Sequence, residues 1–297
     1  MAEIAIILEA TINGLLMGGI YALLAAGLSL MMGVMRVVNL AHGDLMMIGM
    51  YVTFWIFTLL GIHPFISIAF SVPILFIVGV VIQKGLIEPG LELRLPQEHK
   101  IVVVALVTIG LSMIIQNLVH VIWTADYRSV IIGLTGSSLE ISGIRIGILR
   151  LLAFSAAFLM TACLQVCLKR TRWGKSIRAI AQDEEAAMCV GINVPRYRLL
   201  TFGLGSSVAG AAGSLMALLY YIFPAVGTHL TIYALVIVTL GGIGSILGSF
   251  LGGLTMGLVE SIASLYLGIE FREVVAFIIF ILVLALRPAG LLGEKLE

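Results

Sequence analysis

Long uncharged runs alternate with short charged segments along this chain. Six apolar blocks stand out, at residues 10–35, 45–83, 101–125, 151–168, 199–259 and 274–286. A helix needs about 20 mostly apolar residues to cross a bilayer. Gly and Pro residues at 61–64, 223–224 and 241–244 divide the two longest blocks into several spans. The pattern predicts an all-α, polytopic membrane protein with about eight to nine transmembrane helices, one of them broken or re-entrant at residues 240–249.

The composition agrees with a membrane location. Hydrophobic residues make up 61% of the chain and charged residues 11%, whereas about 25% of a soluble domain is charged. A mean hydropathy of +1.16 leaves too little polar surface to cover a water-soluble fold. The N-terminus has no basic residue, so the first apolar run is expected to be a permanent span and not a cleaved signal peptide. We expect one transmembrane domain over residues 1–297, and the net charge of +1 gives no indication of a nucleic-acid partner.

The positions of the basic residues predict the orientation of the chain in the membrane. Cytoplasmic loops of membrane proteins are enriched in Lys and Arg. With residues 169–198 in the cytoplasm, 13 of the 17 basic residues lie inside and four lie outside, and the opposite orientation reverses these counts. The N-terminus is therefore expected outside and the C-terminus inside.

Residues 169–198, which we call the coupling segment, hold ten of the 33 charged side chains. From Ser176 the apolar residues recur with helical period, which predicts an amphipathic helix of about four turns. Ser176 is expected to cap its start, Gly191 to follow its end, and Pro195 to prevent its continuation. Such a helix either lies on the inner leaflet or docks onto a protein. Its alanine-rich apolar face and the three acids at 183–185 favour docking onto a protein.

Several stretches together resemble one family. GKSIRAIAQDEEAAMCVGINVPRYR is similar to the cytoplasmic coupling segment of permeases in bacterial ABC importers of the branched-chain amino acid type. RVVNLAHGDLMMIGMY, VALVTIGLSMIIQNL, TLGGIGSILGSFLGG and LRPAGLLG resemble further parts of the same family, in the same order. The resemblance is closest to the Liv-type subunit, the first of the family's two permeases. It implies a transport subunit and not an enzyme.

The same resemblance implies the partners. They are a second, homologous permease that forms a heterodimer with this chain, two cytoplasmic ATPases that bind ATP and Mg²⁺, and a periplasmic substrate-binding protein. No cofactor is expected on this chain. The GKS at residues 174–176 lacks a glycine five positions before Gly174, where Lys169 stands, so the chain has no phosphate-binding loop. The implied location is the bacterial inner (cytoplasmic) membrane.

The sequence defines the transported substrate less well than the type of transporter. Branched-chain or related small amino acids are the first expectation, and relatives of the family also carry urea, short amides or aromatic acids. An ion-coupled secondary carrier is the alternative of a different class. Such carriers use paired intramembrane charges, and Glu260 is the only charged residue well inside an apolar run. Coupling to protons or sodium is therefore poorly supported.

We expect two groups of functional residues. In the coupling segment, a face of small residues is predicted to fit a groove of the ATPase, and it consists of Ala179, Ala186 and Ala187. The polar contacts around it are expected from Arg178, Asp183 and Glu184. Gly174 and Gly191 lie near the two ends. Polar or helix-breaking residues at membrane depth are candidates for the translocation path: Asn39, His42, Gly43, Asp44, Gln116, Asn117, Gly241, Gly242, Gly244 and Ser245.

Each path candidate also has a structural interpretation. Asn39 and Asp44 fit the start of a helix, with Asn39 as its cap and Asp44 in its first turn. His42 fits an interfacial histidine better than a ligand or a proton relay. Gln116 and Asn117 either bond between helices or line the path. The four residues at 241–245 either break a helix or allow close packing.

Overall fold

Helices account for nearly all of the regular structure. A computed structural model of the chain describes residues 2–141, 143–287 and 290–292. The helices are α1 Ala2–Met35, α2 His42–Leu60, α3 Pro64–Ile82, α4 Glu88–Leu91, α5 Gln97–Trp123, α6 Ile148–Arg170, α7 Arg172–Gln182, α8 Glu184–Cys189, α9 Val194–Met216, α10 Val226–Gly241, α11 Ile246–Leu267 and α12 Arg272–Leu286. A π-helical turn, Gln83–Ile87, joins α3 to α4, and a 3-10 turn, Ile269–Phe271, precedes α12. The strands β1 Ser138–Ile141 and β2 Ile144–Gly147 form one antiparallel hairpin, with Ser138 opposite Gly147.

The transmembrane pattern is confirmed. Seven helices of the described residues are long and apolar enough to cross a membrane, namely α1, α2, α3, α5, α6, α9 and α11. Two shorter helices, α10 with 16 residues and α12 with 15, add to this set. The protein is therefore a multi-pass, mainly α-helical membrane protein, and the hairpin is the one departure from an all-α fold among the described residues.

The predicted breaks between spans are found where the sequence places them. Gly61 follows α2 with a left-handed φ of 66° and donates its N–H to the Phe57 carbonyl. Pro64 then starts α3, where its fixed φ suits the first helical turn. Phe223 and Pro224 lie in the connection between α9 and α10. Local turn chemistry therefore fixes these boundaries.

The segment at 240–249 is a corner between two helices, which confirms the predicted break at 241–244; the re-entrant alternative is not found. The helix α10 ends at Gly241 and α11 begins at Ile246. Gly242 and Gly244 between them have φ values of 105° and 81°, which glycine adopts without the strain that a side chain would add. Ser245 caps α11 by accepting a hydrogen bond from the Gly248 N–H at 3.0 Å.

The helix α1 forms the centre of the molecule. It packs on α6, α9, α10 and α11, and its 34 residues extend for about 51 Å. Glycines bring α1 and α11 together: a Cβ added at Gly18 would lie 2.7 Å from the Gly253 carbonyl oxygen. Small residues on α1 and α11 thus let the two backbones approach closely.

The two ends of α1 define the two ends of the molecule. At its C-terminal end, the Arg36 guanidinium donates to the carbonyl oxygens of Ala181 and Gln182 in the coupling segment, at 3.0 and 3.2 Å. At its N-terminal end, Asn13 donates to the Arg145 carbonyl in the hairpin at 3.3 Å. The coupling segment and the hairpin therefore lie at opposite ends.

Candidate functional site

The coupling segment contains two helices instead of the single predicted one. The first, α7, begins at Arg172, and Thr171 caps it by accepting a hydrogen bond from the Gly174 N–H at 3.0 Å. Ser176 is inside this helix and donates to the Arg172 carbonyl at 3.3 Å. The prediction of Ser176 as the cap is therefore wrong, because the hydroxyl of Thr171 already satisfies the first turn.

The segment breaks at Asp183. This residue is extended, with φ −149°, and its carboxylate accepts a hydrogen bond from the Ala186 N–H at 3.0 Å, which starts the second helix, α8. The predicted continuous helix of about four turns is therefore wrong. Its predicted end is confirmed: Gly191 has a φ of 85°, its N–H donates to Met188, and Ile192 donates to Ala187. This is the Schellman pattern that glycine permits after a helix.

The two helices turn one side toward the rest of the chain. Ile177 and Ile180 of α7 are buried, and Ala187 of α8 is only 3% exposed. Gly174 lies against the end of α6, where a Cβ would overlap the Leu168 carbonyl. The prediction that Ala187 faces a partner is therefore wrong, since its side chain fills the chain's own core.

The other side of the segment is exposed. Arg178, Asp183 and Ala186 are exposed and Ala179 is partly buried. Two apolar side chains of α8 and its C-terminal turn also face outward, Met188 at 49% and Val190 at 76% exposed. The Arg178 guanidinium reaches back to the Leu168 carbonyl at the end of α6. Exposed apolar side chains beside charges are typical of a surface that binds another protein.

Ion pairs that the sequence did not reveal attach the segment to the membrane helices. The Arg198 guanidinium of α9 binds both carboxylate oxygens of Glu184 at 2.6 Å and lies 3.6 Å from Glu88 of α4. Glu88 in turn accepts a hydrogen bond from buried Gln83 at 2.7 Å. Glu184, expected to face a partner, is therefore bound within the chain. Sequence reasoning missed Arg36, Glu88 and Arg198. The contacts of Arg36 with Ala181 and of Arg198 with Glu88 join elements far apart in sequence, whereas Arg198 and Glu184 are only 14 residues apart.

The helix α2 begins deep inside the molecule. His42 is its first residue, and the His42 Nε2 lies 3.2 Å from the Leu24 carbonyl oxygen. Leu24 lies 11 residues before Met35, the end of α1, which is about 17 Å along the axis. His42 is fully buried, so its interpretation as an interfacial residue is wrong. The chain returns from Arg36 alongside α1 before α2 starts.

Asn39 supports this return without capping α2. Its side-chain oxygen accepts a hydrogen bond from the Ala41 N–H at 3.0 Å. The residue at the cap position is Ala41, which makes no side-chain capping bond. The prediction of Asn39 as the cap is therefore wrong, whereas Asp44 does lie in the first turn of α2.

A polar cluster forms where α2, α5 and α10 meet. The Gln116 amide nitrogen of α5 lies 2.9 Å from the Asp44 carboxylate, 2.8 Å from the Thr228 hydroxyl of α10 and 3.1 Å from the Ser112 hydroxyl. Its two hydrogens can serve two of these acceptors at a time. We call these four residues the polar cluster. Asp44 is fully buried, and its second carboxylate oxygen has no hydrogen-bond partner among the described residues. Of the predicted path residues, the structure thus brings Asp44 and Gln116 together.

Close backbone contact holds the cluster in place. The Gly43 N–H donates to the Thr231 hydroxyl of α10 at 2.9 Å. A Cβ at Gly43 would overlap the Gly227 carbonyl and the Thr231 backbone. The starts of α2 and α10 therefore meet inside the molecule, and each brings the positive end of a helix dipole to this point.

The other predicted path residues lie elsewhere. Asn117 is exposed on α5 and donates only to the Met113 carbonyl of its own helix. Gly241 packs against Gly248, and Gly244 packs against Gly33 at the end of α1. These glycines and Ser245 form the corner at the end of the molecule that holds the coupling segment. This corner is distant from the polar cluster, both in sequence and along the helix axes.

Comparison with known proteins identifies the family. Residues 10–284 match the sequence model described as "Branched-chain amino acid transport system / permease component". The chain is 32% identical to the high-affinity branched-chain amino acid transport system permease protein BraD of Pseudomonas aeruginosa, over 99% of this chain and 98% of that protein. It is 33% identical to LivH of Salmonella typhimurium, which has the same description, over 97% and 96%.

A further relative is the probable permease LivH of Methanocaldococcus jannaschii, 28% identical over 95% of this chain and 91% of that protein. No solved structure matches the chain with significance. The likeness to BraD and LivH covers the coupling segment, the polar cluster and every membrane helix in the described residues. The chain therefore belongs to the family of branched-chain amino acid transport system permease components.

Proposed function

We propose that this chain is a membrane-spanning subunit of a binding-protein-dependent importer for branched-chain or related small amino acids, with ATP hydrolysed on partner chains. The coupling segment is the observation that carries the proposal. It is exposed on one side and is bound to α1, α4 and α9 on the other. An ATPase that pushes on such an element moves the membrane helices with it.

The face that docks onto the ATPase differs from the predicted alanine face. Because Ala187 is buried, the seat consists of Ala186 with the exposed apolar side chains of Met188 and Val190. Arg178 and Asp183 lie beside it and give the contact its charge pattern. Polar contacts at the rim of an interface set orientation and specificity more than affinity.

The contacts of the segment define how movement reaches the membrane. Arg36 links the end of α7 to α1, the central helix. Arg198 links α8 to α9 through Glu184, and to α4 through Glu88. A displacement of the two short helices therefore acts on the two helices that pack most extensively within the chain. Rocking of such packed helices is how many transporters alternate access around a fixed site.

The translocation path runs along the face where α5 and α10 meet. Polar residues of both helices are exposed there, namely Thr228 of the polar cluster and its neighbours Asn117 and His229. Polar groups that face lipid at membrane depth are costly. This face is therefore better matched to a second permease with the path between the two chains than to lipid.

The relatives support the proposed substrate and partners. BraD and LivH are described as high-affinity branched-chain amino acid permeases. The chain also has 28% identity over 43% of its length to the probable permease LivM of M. jannaschii, which supports a heterodimer of two homologous permeases. Two ATPases that carry ATP and Mg²⁺ and a periplasmic binding protein complete the assembly. The complex lies in the bacterial inner membrane, with the coupling segment in the cytoplasm.

Reconstitution tests this function. The four components in liposomes, with ATP inside the compartment that holds the ATPases, are expected to accumulate L-leucine. The same liposomes with a non-hydrolysable ATP analogue should accumulate none, even under a proton or sodium gradient. If the purified chain alone moved leucine under an ion gradient without ATP, the importer function would be wrong.

A further inference from the structure

Two neighbouring cavities lie in the half of the molecule away from the coupling segment. The first has a volume of about 300 Å³ and the second about 240 Å³. Tyr21, Tyr220 and Arg272 line both of them, and the hydroxyls of Tyr21 and Tyr220 are 2.8 Å apart. We call the pair the double cavity. Together the volumes fall in the range of small-molecule sites in proteins.

A buried acid faces the first cavity. Glu260 of α11 is 6% exposed, and the Tyr21 hydroxyl donates to one of its carboxylate oxygens at 3.0 Å. The Tyr233 hydroxyl also lies close to this carboxylate, although the other carboxylate oxygen makes no hydrogen bond of normal geometry, and Glu260 has no ion pair among the described residues. Burying a carboxylate in this way is costly unless something compensates it. In the described residues, this buried acid is therefore approached by tyrosine hydroxyls and paired with no cation.

Basic side chains line the same cavity. Arg272 has a side chain that is 32% exposed and only a long contact of 3.8 Å to its neighbour Glu273. Arg150 donates to the Asn13 side chain at 3.2 Å. Acid and base therefore line one cavity without pairing with each other. A group with one positive and one negative charge close together would satisfy both.

The second cavity is apolar. Its lining includes Met216, Phe223, Val226 and Leu230. Tyr233, which is 8% exposed, also lines it, and its hydroxyl lies close to the Glu260 carboxylate. The exposed His229 lies at this cavity and is the neighbour of Thr228 in the polar cluster. The double cavity thus adjoins the face that we assign to the translocation path.

We propose that the double cavity is a binding site for a zwitterionic α-amino acid with an apolar side chain, on the outer side of the permease. The ammonium group lies beside Glu260, the carboxylate toward Arg272, and the side chain in the apolar cavity. The inference rests on the proposed transport function and adds a selection step within the permease, after release from the binding protein. It predicts that the permease discriminates by charge as well as by size.

The competing explanation for Glu260 is structural, with the carboxyl group serving only as a hydrogen-bond acceptor for Tyr21. The substitution Glu260→Gln separates the two. A glutamine carbonyl accepts the same hydrogen bond and has nearly the same size, but it provides no negative charge for an ammonium group. Glu270→Gln is the matched control, because Glu270 is exposed at the same end of the chain and lines neither cavity.

The experiment measures L-leucine affinity and uptake with the complete transporter in nanodiscs and liposomes. For Glu260→Gln we expect leucine binding to the complex without binding protein to weaken by about tenfold or more, as for loss of one partner of a buried charge pair. The KM for uptake should rise accordingly. Glu270→Gln should match the unmodified transporter, and leucinamide and 4-methylpentanoate, which each lack one charge, should bind more weakly than leucine.

The outcomes separate the two proposals. If the unmodified transporter does not accumulate leucine with ATP, the proposed function is wrong. If it does, and Glu260→Gln binds and transports leucine unchanged, the binding site is wrong and the function stands. Should Glu260→Gln fail to assemble, Arg272→Gln decides, because Arg272 is partly exposed. Unchanged leucine affinity in that variant would equally overturn the site.

Discussion

The polar side chains of the coupling segment and those of the polar cluster find their partners in opposite ways. In the coupling segment, charges lie at the surface and bind neighbours or backbone close to them, as Asp183 does at the start of α8. In the polar cluster, buried Asp44, partly buried Gln116 and exposed Thr228 come from three helices and meet where these helices pack. The first arrangement is mostly local, and the second exists only when the helices are packed.

The two regions also differ in how much their polar contacts contribute to the free energy of unfolding. An exposed polar contact contributes about 0–1 kcal/mol, so the exposed side of the coupling segment can break and remake contacts when a partner moves it. The pair of Arg198 and Glu88, with side chains 13% and 15% exposed, contributes more. A buried polar group without its partner costs about 1–3 kcal/mol. The polar cluster therefore holds α2, α5 and α10 in a defined arrangement. One region is built to be moved, and the other to keep its geometry while the helices move.

The largest effect should come from the close contact beneath the polar cluster. Gly43→Val places a side chain into the backbone of α10, and overpacking of this kind costs about 3 kcal/mol or more. We expect little or no folded protein by size-exclusion chromatography in detergent. Gly85→Val is the control, since nothing lies within 4 Å of a Cβ there. Equal yields of the two variants would contradict the approach of α2 to α10.

The polar cluster itself is tested by a double-mutant cycle. Asp44→Ala and Gln116→Ala should each destabilise the protein, with a coupling energy of about 1–2 kcal/mol between them, as for interhelical hydrogen bonds in membranes. Asn117→Ala should change stability by no more than about 0.5 kcal/mol, because Asn117 bonds only within α5. Thermal unfolding in detergent measures all four variants. Additive effects of the two single substitutions would show that no cluster forms.

In the coupling segment, Arg198→Gln should loosen the link between α8 and α9. We expect a loss of about 1–2 kcal/mol of stability, because Arg198 and Glu88 are only 13% and 15% exposed and Glu88 loses its cation. The effect on function should be larger, with ATP hydrolysed in the complex but less leucine moved per ATP. Arg196→Gln, a charge change at an exposed residue two positions away, should leave this ratio unchanged. A normal ratio in Arg198→Gln would mean that this ion pair does not transmit movement.

The smallest effect concerns the start of α8. Asp183→Ala removes the capping hydrogen bond, which is worth about 1 kcal/mol. Hydrogen exchange should therefore become faster at the amides of residues 184–188, while the membrane helices remain protected. Asp183→Asn retains a capping oxygen and should restore slow exchange. If both variants exchanged alike, the cap would not be what orders this helix.

The sequence predicts the local features well. Apolar runs locate the spans because a bilayer requires uninterrupted apolar residues, and Gly61, Gly191 and Pro64 act through their own backbone geometry. Ser176 was predicted wrongly because serine is a common cap residue, whereas the cap is Thr171, five residues earlier. Thr171 is the single residue between α6 and α7. Asp183 before two further acids is itself typical of a helix start, so the break was readable from the sequence.

The polar cluster and the double cavity were readable only in part. Asp44, Gln116 and Glu260 stand out singly as polar groups in apolar runs, but their neighbours are set by helix packing. Gln116 and Thr228 are 112 residues apart in sequence, and Tyr21 and Glu260 are 239 apart. No local pattern carries such pairings. The mutual contacts of these residues therefore require the fold.

Cross-linking to the ATPase tests the central claim most directly. Cys163, Cys167 and Cys189 are replaced by serine, and single cysteines are placed at Ala186 in α8 and at Tyr266, an exposed residue at the other end of α11. In the assembled complex, Ala186→Cys should form a cross-link to the ATPase whose yield changes when ATP binds, and Tyr266→Cys should form none. If Ala186→Cys formed no cross-link, or Tyr266→Cys formed as much, the coupling segment would not be the docking site.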